Sequence, residues 1–298
     1  MNGIPYFGET LALLTAVTWA VAVILFKKSG ETVHPLALNL FKNTLAAVLF
    51  IPTIYIVGQT LAYRASTNDY VMLLFSGALG IGVSDTLFLH CLNRLGAALT
   101  AIVDCLYSPF IIALSMFWLN ESLGAWQVVG VIMIISAIVT VTSRKGSEHI
   151  TRRNLIWGLT YGVLAMATTA VGIVMIKPVL DHTPLLWVTE VRLVGGMLVL
   201  GAVLLFHPRR RRIIGTVIST QGWRWTFSGS FVGAYVAMML WLGGMKFTQA
   251  STAAALNQSN NVFIFIFAYL FLKEPINRFQ SIGIILGVAG SILVMFTH

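Results

Sequence analysis

Residues 252–272 read TAAALNQSNNVFIFIFAYLFL, a run long enough to cross a bilayer as a helix. Its first half carries Asn257, Gln258, Ser259, Asn260 and Asn261 in succession. Four of these five side chains are amides, and an amide left unpaired in hydrocarbon costs several kcal/mol. They must therefore meet protein, water or a ligand. A segment apolar enough to insert, yet polar enough to need partners once inside, is how a spanning helix lines a solute pathway. Hydrogen bonding between helices would account for one or two such residues, at about 1 kcal/mol or less per contact. Five in a row favour the pathway.

The rest of the chain has the same character. Of its 298 residues 57% are hydrophobic and 10% charged, with a mean hydropathy of +0.86; a soluble domain carries about a quarter charged residues. Ten apolar segments of roughly 17 to 24 residues, the length a spanning helix needs, lie near 9–26, 35–57, 70–92, 98–118, 126–142, 154–176, 184–206, 224–245, 252–272 and 279–296. The first has no basic residues before it and no separate cleavage region after it, so it reads as a retained helix and not a signal peptide. Connections are short, and the membrane body itself must carry the function. The net charge of +9 does not indicate nucleic acid, because the basic residues sit between apolar runs where topology uses them. Cys91 and Cys105 fall inside apolar segments and imply no disulfide framework.

An internal repeat organises the chain. Phe75-Ser76-Gly77 recurs as Phe227-Ser228-Gly229 and Leu99-Thr100-Ala101 as Ser251-Thr252-Ala253, both 152 residues on; Asn120-Glu121-Ser122 recurs as Lys273-Glu274-Pro275 and Gly130 as Gly283, both 153 on. Two units follow, residues 1–145 and 152–298, each with five spans. An odd number of spans per unit inserts the two in opposite directions. The expected fold is thus an all-α membrane protein of ten transmembrane helices, two inverted five-helix repeats around a central cavity. Three basic residues (Arg64, Lys177, Lys246) fall on the face that holds the termini; setting aside the intramembrane Lys42 and Arg192, the other 19 − 3 − 2 = 14 fall on the opposite face. The positive-inside bias then puts both termini on the non-cytoplasmic side of a plasma (inner) membrane.

Five ionisable side chains lie within the apolar segments: Lys42, Asp85, Asp104, Glu190 and Arg192. Such groups are functional candidates, with mutual pairing as the alternative. Measured back and forward from the turn near Arg94–Ala97, Asp85 and Asp104 share nearly the same depth at about 1.5 Å per residue, and Lys42 enters from the same face, so the three can meet. Glu190 and Arg192, two apart, point in different directions and are expected to find separate partners. Three acids against two bases leave one acid over, and a buried unpaired carboxyl suits proton carriage or a cationic solute. Asp104 is preferred, followed as it is by Tyr107, Ser108 and Pro109, where a proline frees a carbonyl and bends the helix; an Asp104–Lys42 pair is the structural alternative. Trp19, Tyr107, Tyr235 and Trp241 can wall an organic solute. No His/Cys cluster has ligand spacing and no phosphate loop is present. No metal, cofactor or ATP site is expected, and transport must be passive or ion-coupled.

Ser108-Pro109, the apolar run to Asn120-Glu121-Ser122, and Gly130 in a final helix resemble the end of an EamA-type half in the drug/metabolite transporter superfamily; Trp19 with Lys27 resembles its beginning, and the second half is similar through Arg192, Glu274-Pro275 and Gly283. The resemblance covers nearly the whole chain. It implies a central cavity walled by the first, third and fourth helices of each half, and export or exchange of small metabolites such as amino acids. By position the cavity candidates are Trp19, Ser84, Asp85, Asp104, Tyr107, Thr168, Thr169, Tyr235, Trp241, Asn257, Asn260 and Asn261, with Lys42, Glu190 and Arg192 as structural charge partners. Departures fall on the same helices: Asn43 stands where the first half should hold an arginine, Thr169 matches Trp19, and Asn261 matches Pro109. The sequence therefore reads as a non-enzymatic, monomeric alternating-access carrier of a small amphipathic or amine-bearing solute with proton coupling. A channel and a membrane enzyme or sensor are its rivals. An intramembrane aspartyl protease lacks support, because Gly82-Val83-Ser84 precedes Asp85 instead of Gly-x-Gly.

Overall fold

The computed structural model describes residues 6–119, 124–142, 150–180, 182–247 and 256–296, and every regular element among them is a helix. In chain order these are α1 (Phe7–Ser29), α2 (Pro35–Ile56), α3 (Thr67–Leu95), α4 (Ala97–Asp104), α5 (Tyr107–Leu119), α6 (Ala125–Thr142), α7 (Arg152–Leu180), α8 (Leu185–Phe206), the short α9 (Arg210–Ile218), α10 (223–247), α11 (Asn260–Leu272) and α12 (Arg278–Phe296). Six of them, α1, α2, α3, α7, α8 and α10, are long and apolar enough to cross a membrane; shorter apolar helices occupy 97–111, 125–140, 260–272 and 278–293. Polarity is distributed as lipid demands. Asn39, Ser76, Thr226 and Asn261 are fully buried, whereas Leu198, Phe271 and Ile285 are more than 60% exposed.

Local chemistry sets the helix ends. Pro35 opens α2 behind His34, whose Nδ1 accepts the Leu36 N–H at 3.3 Å. Ser66 and Asp69 exchange bonds in a capping box at the start of α3. Gly96, at φ 84, makes the reversal from α3 into α4. The Asn120-Glu121-Ser122 and Ser251-Thr252-Ala253 members of the repeat lie outside the described residues.

Two spans are interrupted, and at corresponding places. The segment expected to be one helix over 98–118 is broken after Asp104 and restarts at Tyr107, where the Leu106 N–H falls back to the Val103 carbonyl and Pro109 has no N–H to give. The segment expected over 252–272 is likewise not continuous. A turn at Gln258 and Ser259 precedes α11, with the Ser259 hydroxyl donating to the Leu256 carbonyl at 2.5 Å, a side-chain bond that competes with the helical ladder. Two further spans widen without breaking. α3 passes through a π-type turn at Ala78–Val83 and α10 through another at Phe231–Ala237.

Packing relates the halves. α3 lies along α7 as α10 lies along α1, α11 meets α1 as α5 meets α7, and α2 with α8, α4 with α11 and α6 with α12 pair across the two halves. Exchanging each helix for its counterpart maps the α3–α7 and α5–α7 contacts onto α10–α1 and α11–α1 and the α2–α8 and α6–α12 contacts onto themselves; the counterpart of α4 falls mostly outside the described residues. Directions can be read from single contacts. A Cβ at Gly290 would stand against Gly130 and Ile134, and one at Gly287 against Ala137, so α12 runs antiparallel to α6.

Candidate functional site

The two interruptions face each other. Gln258 Nε2 donates to Ser108 Oγ at 3.2 Å, and Asn261 Nδ2 lies 3.6 Å from Cys105 Sγ; higher numbers on one strand meet lower ones on the other, so the broken spans cross antiparallel. Asn261 Nδ2 also donates to Gln258 Oε1 at 3.0 Å, and the Asn261 side chain lies against Asp104. Three amide oxygens at this crossing, Oδ1 of Asn257, Asn260 and Asn261, are sealed from solvent and accept no hydrogen bond. Buried acceptors without donors are costly. Each awaits a donor, and the Asp104 carboxyl has Asn261 beside it.

Of the sequence-derived charged groups, Lys42 and Asp85 meet, Nζ to Oδ2 at 2.5 Å. Lys42 also donates to Asn43 Oδ1 at 3.1 Å. Asn43 donates to Asn39 Oδ1 at 2.8 Å, and Asn39 Nδ2 in turn reaches Thr86 Oγ1 and the Ile81 and Gly82 carbonyls of the wide turn in α3. The lysine is therefore spoken for by Asp85, and the alternative Asp104–Lys42 pair does not form. Arg192 is buried, and none of its N–H groups finds an acceptor among the described residues; its Nε is wholly enclosed. Glu190, equally buried, leaves Oε2 without a donor. The separate partners expected for these two are not present among the described residues. Arg192 instead has Tyr107 and Asp85 within electrostatic reach, and Tyr107 also senses Asp104.

The other candidates are committed to packing or to backbone. Ser84 Oγ donates to the Ala165 carbonyl at 2.8 Å and makes a short bond with Thr169 Oγ1. Thr169 and Thr168 each bond to carbonyls one turn back in α7. Trp19 packs on Phe26 and Phe88 with ring centroids 6.4 and 6.3 Å apart. Tyr235 shares a 2.7 Å hydroxyl bond with Thr53 and stands edge-on to Phe50, and Trp241 packs on the same apolar cluster. Gln258 and Ser108, which join the two broken spans, are not among the cavity candidates by position, although Gln258 lies inside the decisive stretch and Ser108 precedes Pro109. No group of three or more metal-ligating side chains occurs among the described residues.

A crystal structure of a protein 18% identical in sequence superposes with a TM-score of 0.66 over 95% of each chain, a likeness of fold. The chain is 22% identical over 295 residues to an uncharacterized transporter of Archaeoglobus fulgidus, covering 96% of both, and 21% identical to another of Clostridium kluyveri, covering 96% of this chain and 92% of that one. It is also 24% identical over 158 residues to the uncharacterized inner membrane transporter YhbE of Escherichia coli, about half of each. The EamA-like transporter family model matches twice, over residues 6–143 and 156–296. With both halves matched, and with apolar helices long enough to span a membrane several times, this multi-pass membrane protein belongs to the EamA-like transporter family.

Proposed function

We propose that the protein is a secondary carrier that moves a small, amine-bearing organic solute, an amino acid or an amine, by alternating access between two inverted five-helix repeats, residues 1–145 and 152–298. The observation that carries this reading is the antiparallel crossing of the two interrupted spans, where Asn261 lies against Asp104 and Asn257, Asn260 and Asn261 each hold a buried acceptor oxygen with no donor. An ammonium group brings three donors and a charge, which answers that set of oxygens. Interrupted helices crossing between repeats are where secondary carriers hold their solutes. The antiparallel α6–α12 contact and the exchange symmetry of the neighbours support inverted halves. Asp104, or Asp85 once released from Lys42, is the proton or cation site. Both termini lie on the non-cytoplasmic side of the inner membrane, and a monomer is the working unit.

Purified protein in liposomes tests this. Radiolabelled solute trapped inside is expected to exchange with external amine-bearing solute by saturable counterflow. Asp104→Asn or the double change Asn257→Ala, Asn260→Ala is expected to cut exchange tenfold or more. Flux that never saturates and shows no counterflow would replace the carrier by a channel, and exchange indifferent to these substitutions would remove the site.

A further inference from the structure

We propose that the groove between α1, the start of α10 and the end of α11 binds an anionic phospholipid, with one acyl chain along its apolar floor and the phosphate among Lys28, Arg224 and Lys273. The site lies on the lateral surface of the protein and is independent of what the carrier moves.

Residue spacing builds the floor. Val21, Ile24 and Lys28 stand at i, i+3 and i+7 and so share one face of α1. Phe267 and Phe271, four apart on α11, pack edge to face with ring centroids 5.5 Å apart and supply a second wall. These side chains, with Trp225, line a cavity of about 280 Å³. From Val21 to Lys28 the groove follows α1 for about 10 Å at 1.5 Å per residue. A helix, at least about 10 Å across with its side chains, does not fit that volume, whereas one extended hydrocarbon chain does. The floor also reaches lipid, since Val21 is 36% and Phe271 64% exposed.

Charge gathers at one end of the groove. α1 finishes at Ser29, α10 begins at Trp223 and α11 finishes at Leu272, and these three ends meet there. Each brings a base. Lys28 lines the cavity, the Arg224 guanidinium stands 4.6 Å from the centre of the Trp225 ring, and Lys273 directly follows Leu272. Neighbouring acids do not cancel them. Glu31 pairs with Lys28 at 3.1 Å, but both side chains are exposed, where such a pair holds weakly; Glu274 is taken up by the N–H groups of Ala97 and Ala98. Bases and a tryptophan at the mouth of an apolar slot are the complement of a phosphodiester carried on an acyl chain. A free phosphate would use the bases without the floor, and a zwitterionic lipid would set its own ammonium against them.

Native mass spectrometry of the detergent-purified protein, titrated with dioleoyl phosphatidylglycerol or dioleoyl phosphatidylcholine, tests the assignment. One phosphatidylglycerol is expected to be held about tenfold or more tighter than phosphatidylcholine. The double change Lys28→Gln, Arg224→Gln is expected to abolish that preference and to leave phosphatidylcholine within about threefold of its retention by the parent. Val21→Trp, which fills the slot and keeps every charge, is expected to weaken phosphatidylglycerol by about tenfold. Equal retention of the two lipids by the parent, or a preference that survives the double change in folded protein, would overturn the site. Displacement of the lipid by equimolar inorganic phosphate would also overturn it, because the chain would then contribute nothing. A second measurement needs no variant. Phosphatidylglycerol with a diazirine on its acyl chain, photolysed on the parent and mapped by peptide mass spectrometry, is expected to label residues 21–25 and 267–272, and unlabelled phosphatidylglycerol to suppress this better than phosphatidylcholine. Labelling spread evenly over the exposed apolar helices would mean bulk lipid and no site.

Discussion

The Glu274 carboxylate accepts the backbone N–H of Ala97 at 2.8 Å and that of Ala98 at 3.0 Å, so the start of α4 is capped by a residue from the far half of the chain. The first N–H groups of a helix have no intrahelical partner, and a carboxylate satisfies two of them while meeting the positive end of the helix dipole. Gly96 leaves the space, since a Cβ there would sit 2.7 Å from Glu274 Oε1. The neighbouring end of α3 is tied from a third element, with Lys27 Nζ donating to the Leu92 and Asn93 carbonyls at 3.0 and 3.2 Å. Replacing Glu274 by Ala is expected to lower stability by about 2 kcal/mol, and by Gln by less, read as the midpoint of thermal unfolding in detergent.

The Lys42–Asp85 pair gives a non-additive outcome. Breaking a buried pair from one side strands a charge, at roughly 3 kcal/mol or more, although partial exposure of Asp85 (29%) softens this. Lys42→Met and Asp85→Asn are each expected to destabilise more than the two together. A double-mutant cycle in unfolding free energy checks it, and simple additivity would contradict the pairing.

On α8, two glycines should respond oppositely to alanine. A Cβ at Gly195 would lie 2.2 Å from the Leu74 carbonyl, whereas one at Gly201 meets nothing within 4 Å. Gly195→Ala is expected to destabilise by 2 kcal/mol or more, roughly an overpacking penalty, and Gly201→Ala to stabilise by about 0.5–1 kcal/mol through the unfolded chain. Thermal unfolding of the two variants beside the parent is sufficient.

The antiparallel packing of α6 on α12 can be caught by a disulfide. A Cβ at Gly287 would stand 3.8 Å from that of Ala137, the separation a disulfide uses. With Cys91 and Cys105 changed to Ala, which also clears the 3.0 Å contact at Cys105 Sγ, Ala137→Cys with Gly287→Cys is expected to cross-link on mild oxidation. Proteolysis between the halves followed by non-reducing electrophoresis reads it. Absence of the cross-link would refute this packing.

One pH effect lies outside the spans. Burial, with a smaller contribution from His207, lowers the His34 pKa below 6.5, and His90 stands 5.7 Å from it, ring centre to ring centre. The unfolded chain then takes up the proton first. Stability is fully present above about 6.5 and is lost as pH falls from there toward the lower folded value, as protonation of Nδ1 also ends its bond from Leu36. His34→Asn, which can cap but not titrate, is expected to flatten the fall in unfolding temperature between about pH 7 and 5.5.

The apolar runs were legible in the chain. Hydropathy marked them, Pro109 marked a bend near α5 and Asn257–Asn261 a span with polar needs, whereas the outright breaks after Asp104 and before Asn260 and the wide turns at Ala78–Val83 and Phe231–Ala237 were not. Depth brought Lys42, Asp85 and Asp104 to one level but did not say which acid takes the lysine, and the pair named from it, Asp104–Lys42, is not the one that forms. What hydropathy cannot carry is lateral order, meaning which helix flanks which, and that is what decides side-chain partners. It hid the solitude of Arg192 and Glu190, the reach of Glu274 across the halves, and the commitment of Ser84, Thr168 and Thr169 to the backbone of α7. The run Asn39-x-x-x-Asn43 beside Lys42 was the missed signal: residues four apart share a helix face, and these two carry the bonds that hold the lysine.

The wide turn at Ala78–Val83 has a bearing on Asp85, two residues past it. A π-type turn takes one residue more through its circuit than an α turn does, and so sets everything beyond it back by about 100° relative to unbroken α winding. The same residues wound as ordinary α-helix would turn the carboxyl away from Lys42 by that angle, whereas deleting one residue of the turn as it reverts to α would leave the acid in phase. The phase of the helix, set by six small and apolar residues with no charge among them, decides whether the lysine keeps its acid.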